Sequence, residues 1–273
     1  MEKININIPS DSALSGNNKN QVFKDLYWLL YGVNANVESV VNEIGLLINE
    51  CKEQKDELFQ LKKVVGDMGG NVTYEVPIED KTLSSMFALN GTLKMTEDIV
   101  YNSNIAGTVL AANKFTLNLN GKKLTFTGNR VATHGGILLK GKQEMTVTGS
   151  TGTLECTETA PLIWTSTADN VVTIKSGNFI GNSPTAELIY CEKGNINITG
   201  GVFKNGGSPY LLNCKDANYN AGTAKIIVTG GKFYDFDPGN NTAEGSGTSF
   251  LAEGYTTVAS QDGNSTVYTV KKA

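Results

Sequence analysis

The heptapeptide NITGGVF at residues 197–203 returns thirty positions later as IVTGGKF at 227–233, and a looser copy, TIKSGNF, stands at 173–179, twenty-four positions earlier. A chain that rewrites one phrase at a short period is committed to stacking one small unit on the next. Around these phrases the apolar residues alternate with polar ones, as in FTLNLNG (115–121), MTVTG (145–149) and INITG (196–200), which marks half-buried strands. Leu119, Val147, Ile174, Ile198 and Val228 take one equivalent position at intervals of 28, 27, 24 and 30. A Gly-rich turn follows each, then an apolar step at Leu154, Phe179, Phe203 and Phe233. A third run closes each interval: GILLKG (136–141), PLIWTS (161–166), ELIYCE (187–192), YLLNCK (210–215) and SFLAEG (249–254).

Three short strands per 24–30 residues, written about five times, describe the rungs of a parallel β-helix. Leucine-rich repeats share the period, but their L-x-x-L-x-L spacing is missing. Gly177, Gly201 and Gly231 recur at one corner, where positive φ or close backbone approach excludes a side chain. Open rungs expose unpaired edges, so both ends need cover. Residues 70–113 are expected to form a junction and an irregular first rung, 114–254 the β-helix, and 255–273 a capping hairpin turning at Asp262-Gly263.

The N-terminal quarter keeps a different beat. With Phe23 as position a, the a positions are Phe23, Leu30, Val37, Ile44, Cys51, Leu58 and Val65, and the d positions Leu26, Val33, Val40, Leu47, Gln54, Leu61 and Met68. Only Gln54 is polar, so residues 21–69 read as a coiled-coil stalk. Glu50 and Glu57 at g complement Lys55 and Lys62 at e, which favours parallel chains. Ile44 at a with Leu47 at d favours two strands, whereas Val37 with Val40, Leu30 with Val33, and the additional apolar Val41 and Ile48 at e lean to three or more, and a homotrimer is the expectation.

Charge excludes other classes. A net charge of −4 and a pI near 5.2 give no basic face for nucleic acid. No run approaches the roughly 18 apolar residues of a membrane span, so no membrane insertion is expected. The opening residues MEKININIPSDS lack the apolar core of a secretion signal, and four scattered cysteines make no disulfide framework. Folding in a reducing cytoplasm is expected.

The phrase TLNLNGKKLTFTG, the three repeated heptapeptides and the ending FLAEGYTTV…YTV together resemble the pectate-lyase-like right-handed β-helices. They are similar to those in the tail spikes and fibres of bacteriophages, including crAss-like phages of gut Bacteroidales. The resemblance covers roughly residues 114–270, and the preceding heptads match that group's plan of anchor, trimeric stalk and receptor-facing body. It implies a structural fibre or spike on the virion surface, made in the bacterial host cytoplasm and attaching to the host surface or its glycans. Residues 1–20, with alternating Ile4, Ile6 and Ile8, would then be the segment that meets another virion protein. The same fold also hosts polysaccharide depolymerases, which remain the alternative.

Catalysis has thin support in the residues. Asp235 and Asp237 in FYDFDPGNN, and Glu155 with Glu158 in LECTET, are the carboxylates that could serve a glycosidase, and a turn role satisfying backbone donors competes for the aspartates. His134 in ATHGG has no nucleophile partner, and Cys191 and Cys214 read as stacked core residues. No zinc-spaced cluster or phosphate-cradling loop occurs, so no metal, cofactor or enzymatic activity is expected. The third runs do not alternate. With Ile163, Ile189, Leu212, Cys191 and Cys214 inward, Leu162, Trp164, Leu188, Tyr190 and Leu211 are expected outward, covered by trimer neighbours or by a sugar on Trp164 and Tyr190.

Overall fold

The computed structural model describes residues 37–77, 82–102, 105–106, 113–127 and 136–273, without the side chains of 37–42 and 105–106. The chain divides into two units between Lys62 and Lys63. The second is a parallel β-solenoid of about five turns, built from three columns of strands.

The first column stacks β1 (Thr73–Val76), β2 (Gly91–Met95), β5 (Asn113–Asn118), β8 (Gln143–Thr148), β11 (Val171–Ile174) and the leading halves of β14 (Gly194–Asn205) and β16 (Ala224–Tyr234), all parallel. Tyr74, Leu93, Leu117, Val147, Ile174, Ile198 and Val228 occupy one register position through it, and each is buried. The second column runs β3 (Ile99–Tyr101), β6 (Lys123–Phe126), β9 (Thr153–Cys156), β12 (Asn178–Gly181) and the trailing halves of β14 and β16. The third stacks β4 (Ile105–Ala106), β7 (Ile137–Leu139), β10 (Ile163–Thr165), β13 (Ile189–Cys191) and β15 (Leu212–Cys214). Period-two alternation holds the first column: in β8 every second residue from Gln143 is buried, and the residues between are half-exposed.

Two sequence expectations change. The regular ladder begins at Thr73, so residues 73–106 contribute β1 to β4 in parallel register and not an irregular rung. The partner of Val147 is Leu117 and not Leu119, which makes the first interval thirty residues. The physical reason lies in the corner. Seven residues separate the first-column and second-column positions in the early rungs (Leu117 to Leu124, Val147 to Leu154), against five later (Ile174 to Phe179, Ile198 to Phe203). Leu119 falls in the longer corner, fully buried, where it fills the space left open by glycine: a Cβ on Gly177 would lie 3.0 Å from its Cδ1.

Beyond that plug the corner is aromatic. The rings of Phe179, Phe203 and Phe233 stack nearly parallel at 4.9 and 4.7 Å between centroids, all fully buried. Gly177, Gly201 and Gly231 adopt φ of 119°, 107° and 109° beside them, as the recurrence of glycine there requires. A polar stack marks another corner. Gln143 donates through Nε2 to Asn113 Oδ1 at 3.0 Å, and Asn113 donates to the Phe87 carbonyl at 2.9 Å. Buried amides are tolerated because the partners satisfy them.

The upper edge is covered from two sides. The hairpin of β17 (Tyr255–Asp262) and β18 (Ser265–Lys272) pairs antiparallel with β16, Phe233 opposite Tyr268. Over the first column the Val228 N–H donates to the Phe250 carbonyl, and the Ala252 N–H donates to the Val228 carbonyl. The two strand edges that would otherwise invite another chain are thus engaged at these points.

Helix α1 (Val37–Asp67) runs unbroken for 31 residues. It ends where Gly69 takes φ of 84° and the Gly70 N–H bonds back to the Val65 carbonyl at 2.8 Å, a glycine-terminated stop. Two shorter helices, α2 (Leu83–Met86) and α3 (Asp216–Asn220), lie in connections of the solenoid. Of the heptad positions, Phe23, Leu26, Leu30 and Val33 lie outside the described residues, as do the side chains of Val37 and Val40. The described ones from Ile44 to Val65 stand on a single continuous helix, with Ile44, Leu47 and Cys51 half-exposed and Gln54, Leu58, Leu61 and Val65 exposed, and Met68 lies just past its end, exposed.

Candidate functional site

The outer face of the third column gathers the chemistry. Trp164, Tyr190 and Asn213 occupy one register position on β10, β13 and β15, each half-exposed, while their strand neighbours Ile163, Thr165, Ile189, Cys191, Leu212 and Cys214 are buried. The indole and phenol meet edge to face, 5.2 Å between centroids at 71°. Strand alternation alone turns these three side chains outward.

Alternation fails one residue earlier. Leu162, Leu188 and Leu211, expected on the outer face, are buried within the chain at 0%, 1% and 2% exposure. They stand at the corner leading into each strand, where Leu162 N–H and Ile163 N–H both reach the Leu188 carbonyl. The bend turns two consecutive side chains inward. The five-residue apolar patch therefore reduces to Trp164 and Tyr190.

Carboxylates gather along this column, Glu187, Glu192 and Asp216 within electrostatic reach of Tyr190. Glu187, three residues before Tyr190, is held above the ordinary carboxylate range by burial. Glu244 arrives from the long connection between β16 and β17, and its Oε1 accepts the Cys214 N–H. Burial also raises Glu244, with the charges of Asp216 and Glu187 adding to the effect. Tyr190 is pushed up to about 12, by burial first and then by Glu187, Glu192 and Asp216. Glu192 is engaged by Lys215 at 2.9 Å, but among the described residues neither Glu187 nor Glu244 has a lysine or arginine partner. Three polar atoms here are shut from solvent without a hydrogen-bond partner: Trp164 Nε1, Asn213 Oδ1 and Glu244 Oε2.

The other sequence candidates are occupied elsewhere. Asp235, at φ of 56°, exchanges bonds with Thr266, its N–H donating to the carbonyl and its Oδ1 accepting the amide at 2.8 Å, which ties the turn to the terminal hairpin. Asp237 Oδ1 accepts the Gly239 N–H at 2.8 Å. Both aspartates serve the turn chemistry that competed with a ligand role, and neither is aligned with Trp164 and Tyr190. Glu155 pairs with Lys123 at 2.7 Å and accepts from Thr125 on the second column. His134 lies outside the described residues. Cys191 and Cys214 are neighbours in the core, and the Cys214 thiol is pushed up by its bond to Cys191 and by burial. Among the described residues no three or more His, Cys, Asp or Glu side chains gather to hold a metal, and no helix is long and apolar enough to cross a membrane.

Glu187, Asn213 and Glu244 were not singled out by sequence reasoning. Aligning ELIYCE with PLIWTS places Glu187 at the head of its strand, so that signal was present. Glu244 lies 30 residues from Cys214, and no local pattern connects the two. Compared with protein-family models, curated proteins and solved structures, the chain matches none.

Proposed function

We propose that this chain is the subunit of a homotrimeric fibre or spike on a bacteriophage particle, one that attaches to the host cell surface or its glycans and carries out no catalysis. The observation that carries the reading is the 31-residue helix whose heptad side chains stand in water in the single chain, Leu58 at 54% and Leu61 at 61% exposure. A soluble helix does not leave such a stripe uncovered, and a second and third copy of itself cover it in register. The g and e charges, Glu50 with Lys55 and Glu57 with Lys62, favour the parallel arrangement.

The β-solenoid supports the reading because it supplies a rigid ladder with outward faces for recognition. Residues 1–20 are the segment proposed to meet another virion protein, by the plan of the proteins that the sequence resembles. The test has two arms on the full chain. Light scattering should give three times the monomer mass of 29.2 kDa. The labelled protein should bind host cells without releasing reducing ends from their capsule. A monomer at micromolar concentration overturns assembly, and released sugar ends favour a depolymerase.

A further inference from the structure

We infer that the free edge of β17 pairs antiparallel with the same edge of a second copy, about a twofold axis at Ala259. The inference stands on the terminal hairpin alone and does not depend on assembly through α1.

β17 closes the large sheet: β16 pairs with β18, β18 with β17, and β17 with no further strand among the described residues. Which of its backbone groups face outward follows from β18. Opposed residues of an antiparallel pair exchange both hydrogen bonds or neither. Thr266, opposite Gln261, donates its N–H to Asp235 Oδ1 and accepts the Asp235 N–H on its carbonyl, so it exchanges none with Gln261. Alternation then turns the N–H and C=O of Gln261, Ala259, Thr257 and Tyr255 away from β18. The Tyr255 N–H takes that direction and donates to the Ala252 carbonyl. Thr257, Ala259 and Gln261 meet no backbone partner on that side among the described residues.

The edge has none of the devices that keep strands apart. β17 reads YTTVASQD, without lysine, proline or bulge, and it holds unbroken register with β18 from Tyr255 to Asp262. Val258 to Asp262 are all exposed. An axis at Ala259 sets Thr257 against Gln261 of the second copy and Ala259 against itself, so the open N–H and C=O of all three residues are matched and none is left over. An axis at Val258 fails, because it sets the Gln261 carbonyl against the Tyr255 N–H, which Ala252 already holds.

Side chains agree with the Ala259 axis. Val258 falls opposite Ser260 and Thr256 opposite Asp262 of the second copy, so no like charges face each other. Charge complementarity extends one strand further. Lys271 lies opposite Thr256 within the hairpin, on the row that ends at Asp262 of the second copy. Two strand spacings, about 10 Å, separate those backbones, a gap that a lysine and an aspartate close from both sides. Lys271 has no carboxylate partner of its own among the described residues. One strand edge buries well under the roughly 1,000 Å² of a stable interface, so the pairing is weak and appears above micromolar concentration. A twofold contact does not close within a threefold ring, so it joins separate assemblies.

The test follows the mass of the full chain by sedimentation from the micromolar to the millimolar range. The mass found at micromolar concentration should double, and hydrogen exchange at Thr257, Ala259 and Gln261 should slow as it does. Ala259→Pro removes an outward N–H and no bond to β18, and Ala259→Lys sets two like charges against each other at the axis. Each should abolish the doubling and leave the starting mass unchanged. Lys271→Asp should weaken the pairing several-fold, and adding Asp262→Lys to it should restore the parent's strength. No doubling, or doubling that survives both Ala259 variants, overturns the proposal. A charge swap that restores nothing overturns the axis at Ala259. Edge amides equally protected at every concentration would mean that another segment of the same chain covers the edge, which overturns it as well. A starting mass of one chain defeats the fibre reading and leaves this inference to be decided by the doubling.

Discussion

Gly201 lies against Phe203 so closely that a Cβ on it would sit 3.2 Å from the ring and 3.1 Å from the ring of Phe179, at φ of 107°. Gly201→Ala therefore meets two costs, a left-handed backbone worth about 1–2 kcal/mol and overpacking of about 1–3 kcal/mol. Gly207, at φ of 110° with nothing within 4 Å, carries only the first. Urea unfolding of the two variants should separate them, Gly201→Ala losing more stability by at least about 1 kcal/mol. Equal losses would mean that the aromatic stack yields freely.

Leu119 makes a sharper case for packing. It is fully buried in a corner where Gly149, Gly152 and Gly177 leave room for it. Leu119→Ala should cost about 2–5 kcal/mol, the range for deleting a buried leucine that surrounding atoms cannot replace. A loss under about 1 kcal/mol would show that the corner collapses into the gap.

The repeats were legible because their letters carry their physics. Gly177, Gly201 and Gly231 announce a corner of positive φ, and Phe179, Phe203 and Phe233 announce the stack beside it. What escaped were places where local pattern yields to geometry. Leu119 sits on the strand's alternation in sequence but belongs to a corner two residues longer than those above it. Leu162, Leu188 and Leu211 looked outward because strict period two was carried one residue into a bend. Trp164 and Tyr190 were visible as an outward pair, whereas Glu244 reaches Cys214 on the last strand of their column through a long connection whose path no heptad, turn or period encodes.

Assembly through α1 is testable at two of its exposed heptad side chains. Leu58→Glu with Leu61→Glu places two charges at successive a and d positions. Light scattering should fall from trimer to monomer, while far-UV circular dichroism retains the β signal, because the solenoid's ladder begins at Thr73, beyond these positions. A trimer that survives both substitutions means that some other surface holds the copies together.

The last prediction concerns acid. Glu244 and Glu187 have folded-state pKa values raised above the ordinary 4.5, chiefly by burial. A raised carboxyl binds its proton more tightly when folded, so folding takes up protons between the unfolded and folded values. Their contribution to stability is fully present below the unfolded pKa. It is lost as pH climbs through the raised folded value, and the curve is flat above it. Glu244→Gln keeps the acceptor for Cys214 N–H but cannot ionise. Urea midpoints measured from pH 4 to pH 8 should therefore show a decline in the parent chain that is shallower in Glu244→Gln, and the variant should be no less stable than its parent at pH 8. The opposite ordering at pH 8, with the parent clearly more stable, would mean that the ionised carboxylate is favourable in the fold and that the buried Oε2 has found a donor.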